Sequence, residues 1–285
     1  NFQVPLIQNN TVIERPANQH TITRRYSEET IRFIKNNKDQ PFFIYLAHNL
    51  PHVPLFASKE ALGKSARGLY GDVVEEIDQG IGTILKALKE EGLDKNTLVV
   101  FTSDNGPWTV FKEQGGSAGP LFAGKGTTWE GGMRVPTVFW APGKIAPGIV
   151  NQIGSTLDLF HTFSTIAGVP LPKDRTLDSH DLGPLLFEKQ KASRDHFLYY
   201  RGTQLYAARL GAYKAHFITQ GEYGQFGDKK THDPPLLYNL NHDPSEQFNI
   251  AETHPEVLKN IESLVTEHKK NMVPGPDQLK DRGVK

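Results

Sequence analysis

Residues 99–108 read VVFTSDNGPW, a run of strand-forming side chains that stops in Asp104, Asn105, Gly106 and Pro107. All four are turn formers, so a plain turn is one reading of the stop. Adjacent Asp and Asn also set two hard oxygen donors side by side, which suits Ca2+ and its six to eight oxygen ligands. A second group, His48, Asn49 and His52, follows the apolar run PFFIYLA at 41–47. The two histidines are four apart, but Pro51 between them makes a poor helix, so zinc geometry of the H-E-x-x-H kind does not apply. The third group is the loop GPLFAGKGTTWEGGMR, with Lys125 and Arg134. Its Gly119–Lys125 segment matches seven places of a phosphate-binding loop. Gly126 stands where Ser or Thr must hold magnesium, and Pro120 removes a backbone donor, so nucleotide binding is rejected. What survives is a lysine between two glycines, a point charge that backbone can approach closely. A cation, a lysine and a histidine able to protonate a leaving oxygen together describe a site for cleaving a sulfate or phosphate ester.

The elements that must position these groups alternate. A helix is expected from Ser27, as N-cap, to about Asn36, and another from Leu69 to Glu91 with a stripe at Val73, Ile77, Ile81, Ile84 and Leu88. Strands are expected at 41–47, buried on both faces, at 97–101, also buried, and at 135–140, with a short helix at 157–168. Such strand–helix–strand order predicts an α/β domain with a mainly parallel sheet, whose ligands gather at the strands' carboxyl ends. The aromatic-rich stretch 196–219, cut by Gly202 and Gly211, predicts an antiparallel meander, with LLYNL (236–240) as a further strand and 254–270 as a closing helix. The expected division is an α/β part over 1–184 and a small α+β domain over 185–285, with a disordered tail from Val273.

Composition narrows the function. Lys+Arg and Asp+Glu are both 32, so net charge is zero and no broad basic field serves nucleic acid. No stretch reaches the roughly 20 apolar residues of a membrane span. The absence of cysteine excludes disulfides, zinc thiolates and a cysteine nucleophile within these 285 residues. The start, NFQVPLIQNN, has neither an initiator Met nor a signal-peptide pattern and reads as a chain entered partway.

AHNLPHVPLFAS, GLYGDVVEEIDQGIG, FTSDNGPW and above all GPLFAGKGTTWEGGMRVPTVFWAPGKI resemble the type I sulfatases, in the arylsulfatase A and N-acetylgalactosamine-6-sulfatase branch. The likeness continues through YYRG, YKAHFITQG, HDPPLLYNL and DPSEQFNI, from about residue 5 to 270. It implies an alkaline-phosphatase-like fold. By position, Asp104 and Asn105 match calcium ligands, Lys125 the sulfate-binding lysine, and His52 the histidine beside the scissile ester oxygen. Arg134 matches no catalytic position and is expected in a structural ion pair, and His48 is expected to be structural. His216 and His232 lie in segments that approach the substrate end of the pocket in similar enzymes, as substrate contacts or as structure.

The family's nucleophile, a formylglycine made from the cysteine of a C-x-P-S-R segment or from serine, has no counterpart here. The tandem aspartates that complete the calcium shell are also missing. The chain therefore resembles the C-terminal part of a sulfatase acting on a sulfated sugar, inactive without the N-terminal part of the same domain. The family's habit implies export. Two alternatives stand beside it: a phosphodiesterase of the alkaline-phosphatase superfamily, and a non-catalytic domain that binds sulfated glycans.

Overall fold

The computed structural model describes residues 3–273 and 275, so the tail expected from Val273 falls almost wholly outside the described residues. Contacts divide the chain into two compact units, described in turn. The first comprises 1–102, 108–117 and 137–146. It opens with a hairpin of β1 (Leu6–Gln8) and β2 (Thr11–Glu14), followed by helices α1 (Ile22–Asn36) and α2 (Gly68–Glu90). α1 starts a turn and a half before the expected cap. Ser27 is buried inside it and donates its hydroxyl to Thr23 O at 3.1 Å, the back-bond that a mid-helix serine makes when no free amide is there to cap. Its Oγ lies where a side chain on Gly80 would stand, so a glycine on α2 allows the close approach of the two helices.

Ile34, Ile84 and Leu88 form the core between these helices, and Phe42, Ile44, Leu46, Val99 and Trp140 pack against it. Segment 41–47 is extended but has no ladder partner among the described residues. Its alternate side chains Phe43 and Tyr45 are 70% and 84% exposed. The continuous apolar run at this position thus buries one face, not two. β3 (Val99–Thr102) pairs with β4 (Thr137–Trp140) antiparallel, in the register Val99↔Trp140 to Thr102↔Thr137. The expectation of parallel neighbours fails for this pair because the connection between them contains only short helical turns and no crossover helix.

The second unit comprises 103–107, 118–136 and 147–285. It carries the one-turn helix α3 (Glu130–Met133), α4 (Asp158–Ile166) and α5 (Gly183–Glu188). β5 (His196–Arg201), β6 (Gln204–Leu210), β7 (Tyr213–Thr219) and β8 (Lys230–Asn239) then form an antiparallel meander in sequence order. Gly202 and Gly211 take φ of 58° and 55° at its first two turns, the left-handed backbone that the sequence pattern required of them. α6 (Pro255–Asn271) covers one face, packing Leu258, Ile261 and Val265 on Leu205, Ala208, Ala215 and Leu237. On the other face Leu236, Tyr238 and Leu240 pack with Ala123 and Trp129 of the glycine-rich loop. Contacts thus group that loop with the C-terminal sheet, across the boundary expected at 184/185. Segment 155–182 is held by Asp158, fully buried, which receives both arms of Arg194 (3.0 and 2.5 Å) and the amides of Ser155 and His180.

Candidate active site

Asp104 and Asn105 stand just past the end of β3, in a bend closed by Ser103, whose hydroxyl donates to Asn105 O at 3.1 Å. The Asp104 side is exposed, and the Nδ2 of Asn105 donates to Gly106 O at 3.0 Å. That bond commits the amide nitrogen and leaves Oδ1 as the atom for a ligand. Two backbone bonds then fasten this bend to the lysine loop: Gly106 N–H donates to Gly132 O (3.0 Å) and Lys125 N–H donates to Pro107 O (2.9 Å). A methyl group at Gly106 would overlap Gly131 O, so the approach requires glycine. The bend is a turn, and its tight seat on the lysine loop is what a plain turn would not need.

Asn105 and Lys125 line one cavity of about 320 Å3, with Thr128, Tyr200, Arg201 and Tyr223 among its other walls. That volume is at the lower end of small-ligand pockets. The two adjacent oxygens of Asp104 and Asn105 have the donor chemistry for Ca2+ but supply only two of its ligands; no group of three His, Cys, Asp or Glu is poised for a metal among the described residues.

Beneath the loop lies a buried charge cluster that sequence reasoning missed. Lys214 of β7, wholly buried, reaches Glu130 Oε1 at 2.9 Å and Glu246 Oε1 at 3.2 Å, and stands 4.5 Å from the centre of the Tyr199 ring. Glu246 in turn accepts from the Glu130 backbone N–H (2.6 Å) and contacts His216 Nε2 (2.7 Å). Arg134 donates to Glu130 at 2.7 Å, the structural ion pair expected for it. Burial on its own would raise the Glu130 carboxyl; the charges of Lys214, Arg134 and Arg209 overcome that and hold it at about 2. Burial would likewise lower Lys214, yet Glu246 and Glu130 hold it above the ordinary lysine range. The cluster ties the Thr127–Arg134 part of the loop to β7 and to the Asp243–Phe248 turn, and so fixes the backbone that carries Lys125.

His216 belongs to this cluster and not to a substrate wall. It is fully buried, stacked 4.1 Å from Trp129, with Nδ1 lacking a hydrogen-bond partner. Burial keeps it neutral despite the Glu246 bond. His232 bonds Thr219 Oγ1 at 2.8 Å across β7 and β8 and is not among the residues that line the Lys125 cavity. In the first unit, His52 is exposed, stacks on Trp108 at 5.4 Å and places Nδ1 2.7 Å from Val53 O. His48 is half-buried against Tyr26, and burial lowers its pKa. The signal that could have found the cluster is Lys214 and His216, two apart in an otherwise apolar strand: same-face polar residues there need a buried acid.

A sulfatase family model matches residues 4–169, and a model of the C-terminal region of aryl-sulfatase matches 192–284. N-acetylgalactosamine-6-sulfatase of Mus musculus is 41% identical over 293 residues, covering 94% of this chain and 56% of the relative. Arylsulfatase A of Homo sapiens is 38% identical over 284 residues, covering 92% and 55%. The chain thus spans a little over half the length of these curated relatives. Among solved structures, PsFucS1 sulfatase from Pseudoalteromonas sp. superposes with a TM-score of 0.79 at 26% identity, over 90% of this chain and 56% of that one. Ps i-CgsB in complex with k-i-k-neocarrahexaose gives 0.77 at 31%, over 94% and 57%. The likeness confirms the alkaline-phosphatase-like class, and the family match over more than half of its length shows that this chain belongs to the sulfatase family.

Proposed function

We propose that the chain is the C-terminal part of a sulfatase that hydrolyses sulfate esters of sugars, with its site completed by an N-terminal part of the same protein. The observation that carries the reading is that Lys125 and Asn105 line one cavity, with their segments held together by the bonds Gly106–Gly132 and Lys125–Pro107. The crystallised relative in complex with a neocarrahexaose supports a saccharide as the alcohol part of the ester. The family's habit of export supports a protein that acts outside the cytosol.

In this reading Lys125 binds the sulfate as a point charge and offsets the negative charge on its non-bridging oxygens. Asp104 and Asn105 would hold Ca2+ through their side-chain oxygens, with further ligands from outside this chain. Ca2+, when bound, supplies further charge neutralisation, and a formylglycine, when present, supplies the oxygen nucleophile. His52 acts on the leaving group. With Nδ1–H donating to Val53 O, Nε2 is the ring nitrogen that passes a proton to the alcohol oxygen as the S–O bond breaks.

The purified 285-residue chain tests this directly. It is expected to bind inorganic sulfate with a dependence on Lys125 and to turn over neither an aryl sulfate nor a sulfated sugar. Hydrolysis by this chain alone would overturn the reading.

A further inference from the structure

The cavity beside Lys125 has a wall that the sulfate itself does not need. The loop between β7 and β8 narrows to a tight turn: Glu222 N–H donates to Gln225 O (3.1 Å), Gln225 N–H donates to Glu222 O (3.0 Å), and Gly221 N–H donates to Gly227 O (2.8 Å). Tyr223 and Gly224 at its tip take φ of 53° and 73°. A tyrosine in the left-handed region is uncommon and is retained where the surroundings fix it. Here Arg201, at the end of β5, forms an ion pair with Glu222 and donates to Gly221 O at 3.2 Å. The turn sits directly on the lysine loop. A Cβ at Gly126, next to Lys125, would come within 2.6 Å of Glu222 Cγ and 3.4 Å of the Tyr223 ring.

Tyr223 is nevertheless 47% exposed and, with Arg201, faces the cavity shared by Lys125. Lys125, the Tyr223 ring and Arg201 share this lining, and the Arg201 guanidinium is paired with the Glu222 carboxylate. The Arg201 charge is offset by Glu222, so this part of the wall is not a second anion site. What it offers is a fixed guanidinium donor beside an aromatic ring, the chemistry that takes a neutral ring with hydroxyl groups.

We propose that the turn Glu222–Gln225, held by Arg201, is the specificity wall of the site: Tyr223 covers one face of the pyranose that bears the sulfate, and the Arg201–Glu222 pair hydrogen-bonds its hydroxyls. This rests on the sulfatase reading and adds to it the residues that read the sugar.

The test is a calorimetric titration of the 285-residue chain with three probes: inorganic sulfate, galactose 6-sulfate and unsulfated galactose. The wild type is expected to bind the sugar sulfate about tenfold tighter than inorganic sulfate, the increment of one good aromatic face with hydrogen bonds. Tyr223→Ala is expected to remove most of that tenfold and leave inorganic sulfate unchanged, while Tyr223→Phe keeps it. Glu222→Gln, which removes the carboxylate that offsets Arg201 and leaves the aromatic ring, is expected to shrink the preference for the sugar sulfate over inorganic sulfate. Thermal melting of each variant separates lost fold from lost contact. If both Tyr223 variants bind the sugar sulfate like wild type, or if Tyr223→Ala weakens inorganic sulfate equally, the sugar wall is refuted and the lysine site stands. If wild type binds neither anion, or if Lys125→Ala leaves sulfate binding intact, the sulfatase reading fails, and the wall with it.

Discussion

Replacing Lys214 by Met keeps the length of the side chain and removes one charge from a site with no solvent. The structure sets the scale. Lys214 is fully buried between Glu130 at 2.9 Å and Glu246 at 3.2 Å, with no water-exposed face to relax toward. In the variant Glu130 keeps Arg134 at 2.7 Å and a distant Arg209 at 3.9 Å, whereas Glu246 keeps only a neutral imidazole and a backbone amide. Holding the Glu130 carboxyl at about 2 instead of its ordinary 4.5 corresponds to about 3 kcal/mol at neutral pH, and Lys214 is the largest attraction behind it. Leaving a buried charge without its partner costs about 3–5 kcal/mol. Lys214→Met should therefore cost about 3–5 kcal/mol at pH 7, measured by urea unfolding followed through tryptophan fluorescence. That is a large share of the 5–15 kcal/mol of a typical domain.

The pH dependence gives the signature. A carboxyl whose folded value is depressed stabilises fully above its unfolded value, and that contribution is lost as pH falls from about 4.5 toward 2. The variant, whose Glu130 keeps only Arg134 and the distant Arg209, has less of this contribution to lose, so the gap between wild type and variant should narrow over the same window. Adding Glu246→Gln to Lys214→Met removes the stranded carboxylate and should recover part of the loss at pH 7. A cost below about 1 kcal/mol, or a gap that stays constant from pH 7 to 3, would refute the reasoning that this cluster is a coupled charge site.

Two further outcomes follow from the geometry. Gly106→Ala should cost more than about 2 kcal/mol, since the methyl overlaps Gly131 O, and the same loss should appear in sulfate titrations because it parts the bend from the lysine loop. His216, kept neutral chiefly by burial, should remain unprotonated in imidazole NMR as pH falls below 6.5; the unfolded chain takes up that proton, so stability should decline with acid through that range.

Much of this site can be read before any coordinates. The Asp104–Asn105 pair ends a strand, Lys125 lies between glycines, and the Gly202 and Gly211 turns of the meander are local features written in local residues. What is not legible is non-local. Glu130 meets Lys214 across 84 positions and Glu246 across 116, and no periodicity reports such a pairing. The same holds for Arg201 and Glu222, which meet only because β5, β6 and β7 fold back on one another. Segment 41–47 misleads because an apolar run looks alike whether one face is covered or two. Ser27 misleads because a serine inside a helix can back-bond to the carbonyl four residues earlier as readily as it caps.

The most direct test of the central claim is sulfate-ester turnover by the protein expressed from its complete reading frame, wild type against Lys125→Ala. Wild type is expected to hydrolyse a sulfated sugar, and the variant to fall by about 10²–10³ in kcat, the loss expected when one electrostatic contact to the transition state is removed. Turnover that survives Lys125→Ala unchanged would contradict the claim.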